Sequence, residues 1–181
     1  MSLTLYQKNI IAFLKEQLGR SVKQVDAFAG QISPGEVKSN VLFPPAVLVY
    51  VAGGGIERMN GGGLAIKTTT TAYCLTKFND REVKANQDAM TLAETVAELA
   101  EGEHFGLDIR ANAATITAVG NGHQLALSHL GFSLWLVNWE QTIIFGRKNW
   151  LAFEEQHDLD PLPLEVWAGD DQVTNAEGAA V

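Results

Sequence analysis

Residues 131–144 constrain the fold more than any other stretch, because both of their alternating faces are apolar. Phe132, Leu134 and Leu136 fall on one side of a strand; Trp135, Val137 and Trp139 fall on the other. Neither face of such a strand can be left in water. One face can cover helices. The other, with its two tryptophans, needs cover from another subunit or from the C-terminal part of the same chain, and the sequence leaves both open. Aromatic side chains of this kind are common anchors of subunit contacts.

The segments before it set a framework. Leu3–Leu18 reads as an amphipathic helix, with Ile10, Phe13, Leu14 and Leu18 at helical spacing, Thr4 as its N-cap and Gly19 as its stop. Residues 22–28 form a modest strand, and 29–40, with Gly30, Pro34 and Gly35, a loop. Residues 43–51 form a continuously apolar strand with prolines at its mouth, which predicts a central position covered on both sides.

Residues 64–78 form a long threonine-rich strand. Leu64, Ile66, Ala72, Cys74 and Phe78 share one face. Lys67, Thr69, Thr71, Tyr73 and Lys77 share the other, solvated or set against a neighbouring subunit. Residues 83–100 form a second helix, with Asp80 as N-cap and Met90, Ala93, Ala97 and Ala100 on one stripe. Residues 115–119 give a short strand. The fold class is α+β: a mostly antiparallel sheet of about five strands with two helices packed on one face. Residues 1–145 form this domain. Residues 146–181 form a C-terminal extension, extended around the prolines at 158–167 and frayed beyond.

Composition narrows the function. With 46% hydrophobic residues in 181, the chain can fill a core. Its net charge of -8 argues against a broad hold on nucleic acid, although DNA can still pass through an acidic ring. One cysteine, Cys74, rules out an internal disulfide framework. Neither a signal peptide nor a membrane span is expected.

The glycine-rich loop at 53–63 invites comparison with a phosphate cradle, but a P-loop requires G-x-x-x-x-G-K-[ST] leading into a helix. Here Gly63 is followed by Leu64-Ala65-Ile66-Lys67 and a strand, so a hairpin tip or subunit-contact loop fits better. His104, His123, His129 and His157 lie in separate segments and form no metal-ligand set. No catalytic residue, cofactor or metal is assigned, although scattered Asp, Glu and His leave a small-molecule enzyme as a distant alternative.

The run from Leu5 through Gly19, and then Phe43-Pro44-Pro45-Ala46-Val47-Leu48-Val49-Tyr50, resembles the opening of the Mu-like prophage family of small neck and tail proteins. A strand like 69–75, a helix like 88–99 and a closing strand like 132–139 continue the likeness over residues 3–145. That family looks like the tail-terminator or tail-completion group of long-tailed phages. The resemblance implies a homohexameric ring that caps the tail tube, stops its polymerisation and presents a joining surface to the head–tail connector. A sheath protein is a further partner in contractile tails. It implies assembly in the host cytoplasm and residence in the virion tail or neck. A head–tail adaptor is the alternative. Contact candidates, taken from strand faces and loop position, are Tyr50, Arg58, Met59, Tyr73, Trp135, Trp139 and Trp167.

Overall fold

The structure, a computed structural model, describes residues 2–29, 42–58, 64–77, 82–107, 110–122 and 125–145. These residues belong to one compact unit, Met1–Arg147. The extension from 146 onward, with Trp167, lies outside the described residues, as do Met59, Phe78, Asp80 and His123.

Helix α1 spans Leu3–Leu18. Its N-cap is Ser2, whose hydroxyl accepts from the Leu5 backbone N–H at 3.1 Å; Thr4, the expected cap, lies inside the first turn. Tyr6, Ile10, Leu14 and Leu18 are its buried stripe. Gly19 ends it with φ of 51°, a conformation that glycine adopts without a Cβ penalty. Strand β1 is Gln24–Ala27 and pairs parallel to β2, Ala46–Ala52. Ala46, Val47, Leu48 and Val49 are all buried, as the unbroken apolar run requires of a strand covered on both faces.

Strand β3, Ile56–Arg58, is followed by the long β4, Leu64–Lys77, then α2, Glu82–Ala100. Strand β5 is Thr115–Asn121, α3 a single turn at Leu125–Ser128, and β6 the closing Phe132–Phe145. The main path of the sheet runs β1-β2-β4-β6-β5, with β3 alongside the start of β4. All pairings except β1–β2 are antiparallel. The fold is therefore α+β, with a mixed, mostly antiparallel sheet and two helices packed against it. No helix among the described residues is long and apolar enough to cross a membrane.

Helix α2 comes close to the sheet because its inward stripe is small. Ala85, Ala89, Ala93, Val96 and Ala100 are buried, and Met90 and Ala97 flank them half-buried. The helices cover the face formed by Val47, Val49, Ala72, Cys74, Val137, Trp139 and Ile143. This is the tryptophan face of β6, so the expectation that it awaits another subunit or the C-terminal segment is corrected. Trp139 is 0% exposed in one chain. Its indole Nε1 donates to the Tyr6 hydroxyl at 3.3 Å, and Tyr6 in turn shares a hydrogen bond with Thr70 Oγ1 at 3.1 Å. Trp135 is half-buried, and its Nε1 donates to Asn86 Oδ1 of α2 at 2.9 Å.

Phe105 completes this core. Its ring centroid lies 5.4 Å from that of Phe13 and 6.1 Å from that of Trp139. Its φ is 48°, a conformation a bulky residue occupies at a cost of about 1–2 kcal/mol. Packing offsets that cost. Gln141 then ties the surrounding loop to the sheet: its Nε2 donates to the carbonyls of Glu103 and Asn112.

The other sheet face is only partly covered. Leu48, Leu75, Leu127, Phe132 and Leu134 are buried there, with Phe28, Leu42, Tyr73, Leu130 and Leu136 at the margin. Two outcomes are expected from this packing. Trp139→Ala costs about 3–5 kcal/mol of folding stability in urea unfolding; a loss below about 1 kcal/mol would return Trp139 to the surface. Burial pushes the Cys74 thiol up to about 12. Because the unfolded thiol ionises near its ordinary value, Cys74 contributes stability at neutral pH that is lost as pH climbs toward 12. Native protein at pH 8 should therefore leave Cys74 unalkylated until denaturant is added.

Candidate assembly surface

The helix layer is shorter than the strands beneath it, and the excess forms an arm. β3 pairs with the start of β4, and that same stretch of β4 pairs with the end of β6. Two cross-strand rows result. Ile56, Ile66 and Ile143 form one; Arg58, Leu64 and Phe145 form the next. Both rows continue the helix-covered face. Within them only Ile143 is buried; Ile56 is 66% exposed and Leu64 46% exposed. Arg58 is also exposed.

A glycine bulge joins the arm to the body. Ala52 pairs with Thr69 and Ile56 with Ile66, so three glycines oppose two residues of β4. The chain passes very close at this point: a Cβ built on Gly54 would lie 1.6 Å from the Lys67 carbonyl oxygen. The Lys67 N–H donates to the Gly55 carbonyl at 3.1 Å. The first glycine triplet is therefore a backbone joint, not a hairpin tip.

Tyr50 and Tyr73 are half-buried on the less covered sheet face. Tyr73 meets the Phe28 ring edge-on at 5.3 Å, and burial pushes its phenol pKa up, with a smaller push from Tyr50. Beside Tyr50 the face turns polar. Thr71 Oγ1 donates to Asn138 Oδ1 at 2.7 Å, and Lys67 pairs with Glu140 at 2.7 Å. The structure thus separates the sequence candidates. Tyr50 and Tyr73 share one face, Arg58 stands on the arm, Trp135 leans on α2, and Trp139 is core. Exposed Ile56 went unmarked because an isolated apolar residue beside a glycine loop carries no periodic signal, and Leu64, which alternation put on the apolar face of β4, is exposed because that face runs past the helices there.

An open cleft of about 660 Å³ lies between α1 and α2. Lys23, Lys77, Asp88, Thr91 and Pro44 are among its lining, and Asp88 is its one carboxylate among the described residues. Among the described residues no group of three or more His, Cys, Asp or Glu is placed to hold a metal ion.

A sheet with helices on one face, an arm beyond them and edges that no other strand pairs among the described residues defines a small α+β domain with much strand surface outside its own core. The chain belongs to the Bacteriophage Mu Gp37 family, whose model matches residues 2–143. That is a phage tail-protein family, and the chain is accordingly a structural component of the phage tail. No curated protein matches the chain.

The joint makes a direct test. Gly54→Val forces the Lys67 carbonyl and the new side chain apart and should unseat β3. Trypsin should then cut after Arg58 several-fold faster than in the wild type, with the melting temperature of the body little changed. Unchanged cleavage would show that the close approach does not hold the arm.

Proposed function

We propose that this chain caps the tail tube. In this reading copies close into a hexameric ring on the tube end. The ring stops further tube polymerisation and presents its other side to the head–tail connector, and to the last sheath ring where the tail contracts. The observation that carries the reading is the exposed apolar arm, Ile56 and Leu64, on a member of a phage tail family. Apolar strand surface of this kind gains most from contact with another polypeptide.

Capping is surface complementarity and needs no bond-making step. Among the described residues, the cleft between the helices offers a single carboxylate without a histidine or cysteine beside it, in keeping with a non-enzymatic role. Tyr50, Arg58 and Tyr73 are the contact residues carried forward, joined by Ile56 and Leu64. Trp135 keeps only its half-exposed edge for this purpose. The host cytoplasm during assembly, then the virion tail, is the setting, with DNA passing through the channel.

The test is tube growth in vitro. Purified tube protein polymerised with the full-length chain should give tubes of arrested length carrying a ring at one end in electron micrographs. Ile56→Asp/Leu64→Asp should abolish arrest while leaving the subunit folded. Tubes that grow unchecked, with the chain bound to the connector instead, would make it a head–tail adaptor.

A further inference from the structure

The two helices lie over the same sheet face, and their outer flanks carry opposite charge. Lys15 Nζ is 3.4 Å from Asp26 Oδ1 of β1, so this flank of α1 looks toward the β1 edge. Lys8, seven residues earlier, lies on the same stripe. Arg20 follows in the turn that leads into β1. Among the described residues, Glu16 and Asp26 oppose these three cations. Phe43, 58% exposed, stands at the same edge, where its backbone N–H donates to Gln24 Oε1 of β1 at 2.9 Å.

The far edge is the reverse. Glu101 Oε2 accepts from the Ile116 N–H of β5 at 2.7 Å, and Asn86 Oδ1 accepts from Asn121 Nδ2 at 3.2 Å. These contacts fix which flank of α2 looks toward the β5 edge. Glu94, seven residues before Glu101, shares its stripe; Glu98 adjoins it, and Val83, 72% exposed, lies on it three turns back. Val119 of β5 is also exposed. Strand β5, Thr-Ile-Thr-Ala-Val-Gly-Asn, carries no charge and no proline, the usual guards of a sheet edge.

We propose that these two edges meet between copies of the chain: the acidic α2–β5 edge of one subunit against the basic α1–β1 edge of the next. The two patches differ, so the contact is heterologous, and its repetition about one axis closes a ring. Val83 and Val119 on one side and Phe43 on the other supply apolar contact. The opposed charges steer the encounter and fix its register. The inference rests on the ring-forming reading above and adds which surfaces join, leaving the arm free for the tube end.

The test exchanges the charges in the full-length chain. Lys8→Glu/Arg20→Glu leaves the Lys15–Asp26 pair intact, and Glu94→Lys/Glu98→Lys leaves the Glu101–Ile116 hydrogen bond intact. All four side chains are exposed, so melting temperatures should hold. Native mass measurement at low salt should show each double variant associating roughly tenfold or more weakly than the wild type. The fourfold variant, whose edges have exchanged sign, should assemble again. The wild-type ring should loosen as ionic strength rises from about 0.05 M to about 0.5 M. Double variants that assemble like the wild type, or a fourfold variant that stays apart, would overturn the pairing of edges. A wild type that is monomeric at every salt concentration and on tube ends would instead overturn the ring itself.

Discussion

The buried indole of Trp139 sets the rest of the structure. A tryptophan N–H taken out of water needs an acceptor, and the Tyr6 hydroxyl is the one supplied. Tyr6 also bonds Thr70 on the neighbouring strand, so one phenol fastens α1 to both β4 and β6. Burial pushes that phenol's pKa up, which keeps it neutral, while its hydrogen bonds to Thr70 and Trp139 pull the other way. Phe105 then closes over the ring cluster at the expense of a left-handed backbone. With α1 fixed in this way, α2 can bring its alanine stripe onto the remaining strands.

What this packing leaves outside is as telling as what it encloses. Both helices spend their apolar stripes on one face. The sheet keeps two unlike edges, a partly polar second face, and an arm whose apolar rows run past the helix layer. Gly54 lets that arm leave the body where no other residue could, because the strands touch backbone to backbone there. A protein that worked alone would gain little from such surface. A subunit of the phage tail has polypeptide to set against it.

Much of the fold was legible in the sequence. The apolar run 46–49 said "central strand" because no solvated strand carries four successive apolar residues. On the even-numbered face of β4, alternation alone picked out Ala72 and Cys74, which are buried, while Leu64 on the same face is exposed. The side of β6 that receives the helices was not legible, since both faces are apolar and alternation cannot tell which partner each meets. Tyr6 lies four residues before Ile10 and extends the stripe by one turn, but its polar tip disguised it. Gln141 is buried by its place on the Trp139 face, yet a glutamine in a strand gives no such signal. Strand β3 escaped because three residues after a glycine triplet are too few for periodicity. The surface candidates fared unevenly for a related reason: aromatic content marked Trp139 for contact, whereas the exposed side chains on the arm are plain aliphatics.

Family membership places the chain in the tail, and the geometry suggests how a small acidic subunit can hold its place there by edges and arm rather than by its tryptophans. Hydrogen exchange of the subunit, dissociated and then assembled, tests that claim most directly. Assembly should protect the backbone of β5 and of the α1–β1 turn, while Tyr6 and Trp139 exchange equally slowly in both states. Protection gained around Trp139, with none at either sheet edge, would contradict the account.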